Sequence, residues 1–316
     1  MGKLAFVFPG QGAQYVGMGK DLYCAFPEIR ELMDRAGVVL GYDLKEIMFE
    51  GPADKLAETE NTQPAIVTMS AAILSVLEKE GVKPDIAAGL SLGEYSALVS
   101  AGVMEFDDAV VLVRKRGRFM QEAVPIGKGT MAAILGLEKQ EVIECCREAS
   151  GYGVVEAANY NCPGQVAISG EVKAVERAVE IAKEKGAKRA VVLPVSAPFH
   201  CSMLKPAGEK LAVELSKVKI KDASIPVVAN VNAREENCSA EIIDNLIKQV
   251  SSPVLWEDSI RRMIENGVDV FVEIGPGKAL TGFIRKISKE VKTFNIDDIK
   301  SLESTLMDLE GIKCLS

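Results

Sequence analysis

The stretch AAGLSLGEYSA, Ala87–Ala97, decides how the chain is read. Small residues Ala87, Ala88 and Gly89 close a strand-like run, G-x-S-x-G follows at Gly89, Ser91 and Gly93, and Leu92–Leu98 continues as a helix. Strand, sharp turn and helix in that order describe a nucleophile elbow, with the Ser91 backbone at a helix N-terminus where unpaired N–H groups face outward. Such donors suit an oxyanion. The other reading of the same residues is a serine that only caps a tight turn. An activated serine needs a general base, and none stands beside it.

Working outward, "LAFVFPG", "IPVVAN" and "VDVFVEIGPG" are further short apolar runs that end in Gly, Pro or Ser-like turn residues and lead into helical periodicity. Runs of this kind are produced by a parallel sheet covered on both faces, so the fold class is α/β. The middle of the chain differs. There "GTMAAILGL", a helix over "EKQEVIECCREAS", "GVVEAANYN", "QVAISG", a helix over "EVKAVERAVEIAKEKG" and "AKRAVVLPV" follow one another. That β-α-β-β-α-β order is the split unit of a ferredoxin-like subdomain. It is expected to occupy 128–195 as an insertion, with 1–127 and 196–316 forming the larger domain and a ligand cleft between the two. The tail from Asp297 alternates apolar and charged residues at helical spacing and carries no visible chemistry.

With 316 residues and 48% hydrophobic content, the chain can bury a large core. Its formal charge of −8 argues against nucleic acid as a partner, because phosphate binding wants a net basic footprint. The apolar run Leu4–Phe8 is broken at once by Pro9-Gly10, too short for the core of a signal peptide, and no run approaches membrane-spanning length. A cytoplasmic protein with no membrane partner is expected. Cysteines at 24, 145, 146, 162, 201, 238 and 314 form no C-x-x-C pair, which fits reduced thiols and neither a disulfide framework nor a metal site.

His200 is the only histidine, in "PVSAPFHCSM", directly after the apolar run "RAVVLPV". A lone histidine reads either as a structural residue or as the base for Ser91, and it is the only imidazole the chain has. In "FPGQGAQ" the glycines imitate a dinucleotide fingerprint, but Tyr15 stands where G-x-G-x-x-G needs its last glycine, so that reading fails. What remains is Gln11 between Gly10 and Gly12, at the sheet edge where Ser91 also emerges and where an amide helps orient a carbonyl. In "DDAVVLVRKRGRFMQEA", with Val113 and Met120 facing the core, Arg116 falls on the inward stripe beside Gly117, and Arg114 and Arg118 fall on the solvated face. An inward arginine needs an anion. A buried Asp or Glu and a substrate carboxylate are both open at this point.

"FPGQGAQ", "TQPAI", "GLSLGEYSALV", "RKRGRFMQEAVP", "NYNCPGQVAISG", "SAPFHCSM", "SPVLWEDSI" and "EIGPGKAL" occur in this order over nearly the whole chain. The chain so resembles the malonyl-CoA:acyl carrier protein transacylases, acyltransferases of fatty-acid synthesis and of polyketide modules. The resemblance implies an α/β-hydrolase-like parallel-sheet large domain with an inserted ferredoxin-like subdomain. It implies transfer of the malonyl group of malonyl-CoA to the phosphopantetheine thiol of holo acyl carrier protein, with Ser91 as nucleophile, His200 as base and a malonyl-serine ester between two ping-pong steps. No cofactor and no metal enter that chemistry, malonyl-CoA being a substrate. Backbone N–H groups of Gln11 and Leu92 would form the oxyanion hole, and Arg116 would hold the free malonyl carboxylate. Phe199 fits the malonyl-selective form of its loop, Gln249 would orient His200 through its main-chain carbonyl, and Asn161 and Gln165 would line the thioester channel. Acidic carrier proteins further imply local basic patches, at Arg114, Lys115 and Arg118 or over Lys183–Arg189.

One departure stands out. The family commonly reads G-H-S-L-G-E, and this chain has Leu90 in the second position. A side chain adjacent to the nucleophile diverges from it, so the missing histidine is not the family's base, though it changes the packing under the elbow. Rival readings are a serine hydrolase or thioesterase of α/β type, an acyltransferase of a polyketide pathway, and a carrier-binding module that has lost activity. The first would carry Ser, then Asp or Glu, then a late His.

Overall fold

A computed structural model of the protein describes residues 2–195 and 197–314. Ser196, where the second large-domain segment was expected to begin, and the last two residues of the tail lie outside the described residues. Among the described residues the chain forms ten strands: β1 (Lys3–Phe8), β2 (Ile86–Gly89), β3 (Gly129–Leu135), β4 (Val155–Cys162), β5 (Gln165–Glu171), β6 (Arg189–Val192), β7 (Val227–Val228), β8 (Glu235–Glu236), β9 (Val268–Ile274) and β10 (Lys292–Ile296).

Six of them make one sheet in the order β10-β9-β1-β2-β7-β8, parallel throughout except for β8. The continuous apolar runs follow from burial on both faces. Ala5 and Val7 of β1 pack on one side with Trp256 and Ile260 of the Trp256–Glu265 helix, while Phe6 and Phe8 pack on the other with the Thr59–Lys79 helix and the Phe106–Ala123 helix. Two elements depart from the sequence reading. "IPVVAN" does not lead directly into a helix, because its strand turns back into the antiparallel β8. β10, which follows the Ala279–Ile287 helix and pairs with β9, carries a half-buried run that the apolar pattern did not flag.

The other four strands form an antiparallel sheet in the order β4-β5-β3-β6, with the Lys139–Ala149 and Val172–Glu184 helices supplying Val142, Cys145, Val175 and Ala178 to a core of its own. This is the ferredoxin-like arrangement, running from Gly129 to Val192. Its β4 edge is tied to the large sheet's side of the molecule: Tyr160 N–H donates to Val254 C=O at 2.9 Å, and Val254 N–H to Ala158 C=O at 2.8 Å.

The site is positioned by β1 and β2, adjacent and parallel with Phe8 opposite Gly89. Both strands end at the same sheet edge, beside the point between β1 and β9 where the strand order reverses, and ligands of open α/β sheets bind at that edge. The elbow after β2 passes so close to β1 that a Cβ on Gly93 would stand 2.0 Å from the Phe8 carbonyl oxygen. Gly93→Ala is therefore expected to destabilise the fold by about 3 kcal/mol, the upper end for overpacking a rigid backbone contact. Gly151→Ala, with open space around the added methyl, should leave stability within about 0.5 kcal/mol. Urea unfolding of both variants checks the contrast.

Candidate active site

Ser91 sits at φ 54, in the left-handed region that costs a residue with a Cβ roughly 1–2 kcal/mol. Tertiary bonds hold it there. Its N–H donates to Asn230 Oδ1 at 2.6 Å, and its C=O accepts from Gln249 Nε2 at 3.0 Å. The helix Gly93–Ser100 begins immediately after, with the Leu92 backbone already helical. Since the Ser91 N–H is taken by Asn230, the first N–H of the turn left for an outside acceptor is that of Leu92, which donates to no acceptor among the described residues.

His200 reaches Ser91 from the loop after β6, 109 residues along the chain, with Nε2 2.6 Å from Ser91 Oγ. Its Nδ1 lies 2.9 Å from the main-chain carbonyl of Gln249. A carbonyl only accepts, so Nδ1 carries the proton and the Nε2 lone pair faces the serine hydroxyl. The ring is buried at φ 61, the same strained region as Ser91. Burial, and next the charge of Arg116, push its pKa down to about 4. At neutral pH the imidazole is uncharged, the state that accepts a proton.

Arg116 lies on the inward stripe of the Phe106–Ala123 helix and is 1% exposed. Gly117 lets that helix cross the start of the Thr59–Lys79 helix, where a Cβ would come within 2.6 Å of the Thr59 carbonyl oxygen. The guanidinium has neutral partners only. Nη1 donates to Gln63 Oε1 at 3.0 Å, Nη2 to Gln249 Oε1 at 2.9 Å and to Ser91 Oγ at 3.1 Å, and the group lies over the Tyr95 ring at 5.4 Å. Among the described residues it forms no ion pair, and its Nε has no hydrogen-bond partner. Burial lowers its pKa, with the nearby Tyr95 and Glu94 opposing. Glu94 is itself buried beneath the elbow and held well above the ordinary carboxylate range by that burial and by Glu236.

Gln11 lies in the loop after β1, half-buried, with Nε2 donating to Thr59 Oγ1 at 3.3 Å. Phe199 is buried beside His200. Asn161 and Gln165 flank the β4–β5 turn. Gln165 Oε1 accepts from Lys286 Nζ at 3.3 Å, and among the described residues no hydrogen bond joins either to the Ser91 cluster. Arg114 corrects the helical-wheel reading: it is half-buried, 4.5 Å over the Tyr42 ring, because the chain near residue 42 covers that side of the helix. Lys115 and Arg118 are paired with Glu214 and Glu122, and Lys185 with Glu148, so much of the expected basic character is locally neutralised.

Three contributors had no role in the sequence reading: Asn230, which ends "IPVVAN", Gln63, which lies inside "TQPAI", and the side chain of Gln249. Gln63 and Gln249 are fully polar yet buried, and no local pattern distinguishes them from surface glutamines. Together, a serine hydroxyl on a neutral imidazole, outward N–H donors and a buried cation 3.1 Å from the hydroxyl suit acyl transfer from a substrate that carries its own negative charge.

The profile of the acyl transferase domain family matches residues 5–305. The malonyl CoA-acyl carrier protein transacylase of Bacillus subtilis (strain 168) is 49% identical over 311 residues, covering 98% of this chain and 98% of the relative. Among solved structures, the malonyl CoA-acyl carrier protein transacylase from Clostridium perfringens superposes with a TM-score of 0.96 at 52% identity, covering 99% of each chain. A malonyl-transacylase solved in complex with a type II PKS acyl-carrier protein superposes with a TM-score of 0.95 at 44% identity, covering 97% of this chain and 99% of the other.

Because the chain has one histidine, its protonation can be followed without assignment. The folded pKa near 4 lies below the usual 6.5, so the unfolded chain binds the extra proton first. The imidazole NMR signals should stay those of the neutral ring from about pH 8 to about pH 5, and His200's contribution to stability should fall away as pH drops from about 6.5 towards 4. A midpoint near 6.5 in the folded protein would show the ring to be solvated.

Proposed function

The chain belongs to the acyl transferase family, and on that premise we propose that it transfers the malonyl group of malonyl-CoA to the phosphopantetheine thiol of holo acyl carrier protein through an ester on Ser91. The observation that carries this reading is Arg116, a buried guanidinium with neutral partners only and a bare Nε, 3.1 Å from the Ser91 hydroxyl. A free carboxylate at the far end of the acyl group is the anion that this pocket lacks, and each charged hydrogen bond contributes about 1.5–3 kcal/mol.

His200 Nε2 takes the hydroxyl proton as Ser91 Oγ attacks the thioester carbonyl. The Leu92 and Gln11 N–H groups receive the oxyanion. The C–S bond breaks, and the CoA sulfur leaves with the proton from the imidazolium. In the second half the carrier thiol gives its proton to His200, attacks the serine ester, and Ser91 Oγ takes the proton back. This is ping-pong chemistry. Gln249 orients the histidine through its carbonyl, Phe199 narrows the space beside the acyl group, and Asn161 and Gln165 line the thioester channel. No cofactor is needed, since His200 moves the proton and Arg116 holds the charge. Residues 1–127 and 196–316 act as the catalytic domain, with 128–195 as the channel's other wall.

A malonyl-transacylase solved in complex with an acyl-carrier protein supports that partner, and the names of the relatives support a place in fatty-acid synthesis as the supplier of malonyl extender units. No helix among the described residues is long and apolar enough to cross a membrane. A cytoplasmic setting is the one that fits the six cysteines whose side chains are described, all free thiols. Against a hydrolase of α/β type stands the histidine's Nδ1, which faces a main-chain carbonyl where that class supplies Asp or Glu.

After incubation with malonyl-CoA alone, intact-protein mass spectrometry should find one malonyl group on the wild type and none on Ser91→Ala; an adduct persisting on the variant would overturn the assignment. Arg116→Ala should lower the preference for malonyl-CoA over acetyl-CoA in kcat/KM by at least about tenfold. An unchanged ratio would remove Arg116 from carboxylate binding.

A further inference from the structure

The two peptide groups that flank Leu90 are both bonded to a single side chain. Asn230 Oδ1 accepts from the Ser91 N–H at 2.6 Å, and Asn230 Nδ2 donates to the Gly89 C=O at 2.7 Å. Asn230 is itself fixed: it is fully buried, and its own N–H donates to Glu94 Oε2 at 2.8 Å. It follows β7 by two residues, and β7 pairs in parallel with β2, Val228 opposite Ala88. The end of one strand therefore delivers an amide to the elbow at the end of its neighbour.

Local structure cannot do this work. A residue in the left-handed region turns its N–H away from the β2 ladder, and the helix that follows begins only at Gly93. The Leu90 side chain packs with the apolar cluster around Trp256 and lies against Gly10, where a Cβ would meet Leu90 Cδ2 at 3.0 Å. It has no polar atom to offer the turn. The peptide groups of the elbow are held from the other side, by Asn230.

We propose that Asn230 is a positioning residue of the acyl transfer: by clamping the peptide groups on either side of Leu90, it aims Ser91 Oγ at His200 and leaves the Leu92 N–H facing the oxyanion. It touches no substrate and acts through Ser91 and Leu92. The proposal rests on the reading of Ser91 as acyl acceptor given above. Its effect belongs in the rate of acylation, because a displacement of about 1 Å in such a group costs about 100-fold, while ground-state binding of malonyl-CoA through Arg116 is untouched.

Asn230→Ala and Asn230→Asp, each in the full chain, are mixed with malonyl-CoA, quenched over time and followed by intact-protein mass spectrometry, so that the rate constant is read per Ser91 that becomes labelled. In Asn230→Ala that constant should fall by about 30- to 100-fold, with the half-saturating malonyl-CoA concentration within about twofold of wild type. Asn230→Asp keeps an oxygen for the Ser91 N–H but gives up the donor to Gly89. It should lose about tenfold, and it carries the test if the alanine variant does not fold. A residue that only supports the fold would reduce the fraction labelled and the melting temperature while leaving the per-site rate constant at the wild-type value, and that result overturns the proposal alone. A wild type that takes no malonyl group on Ser91 overturns the reading beneath it, and the clamp's catalytic role with it.

Discussion

Holding the Arg116 guanidinium in the interior without a carboxylate is the constraint around which the site is arranged. Removing such a charge from water is unfavourable by several kcal/mol unless its hydrogens are met. The chain meets those of Nη1 and Nη2 with the amide oxygens of Gln63 and Gln249 and the Ser91 hydroxyl, lays the group over the face of Tyr95, and leaves Nε bare. All are dipoles, which solvate the cation without neutralising it. The field that remains reaches His200 and lowers its affinity for a proton. An anion seated on the guanidinium offsets that field, so the strength of the base and the charge of the substrate are tied through one residue.

The sheet makes this arrangement possible by bringing three distant strands to one edge. β1 delivers Gln11, β2 delivers Ser91, and β7 delivers Asn230, on neighbouring parallel strands. Arg116 arrives from a helix on one face, close enough because Gly117 has no side chain. His200 comes from the return of the chain out of the antiparallel sheet, and its partner Gln249 ends the Ser239–Gln249 helix. The chemistry depends on an edge where many chain segments end, and less on any single loop.

What was legible in the sequence was what is encoded locally. G-x-S-x-G between a strand-like and a helical run marks an elbow because the steric demand sits in those residues. The inward position of Arg116 follows from helical spacing alone. Its partners do not, since they lie 53 and 133 residues away and are ordinary glutamines by composition. Asn230, 139 residues from Ser91, is a polar residue after a short strand, a description that fits many turns. Arg114 was misplaced because periodicity knows the helix and not Tyr42, which covers it. β10 escaped because a half-buried edge strand need not be continuously apolar.

The main-chain carbonyl of Gln249 has a consequence of a different kind. In sites where a carboxylate orients the histidine, that support is a side chain, and one nucleotide change can delete it. Here the acceptor on Nδ1 is present whatever residue occupies position 249. Mutation there reaches the amide that holds Arg116 and the Ser91 carbonyl, but leaves the histidine its acceptor. The tautomer of the base is thus inherited from the path of the backbone, and the site's mutational record would show a dependence on charge recognition where a triad shows a dependence on its acid.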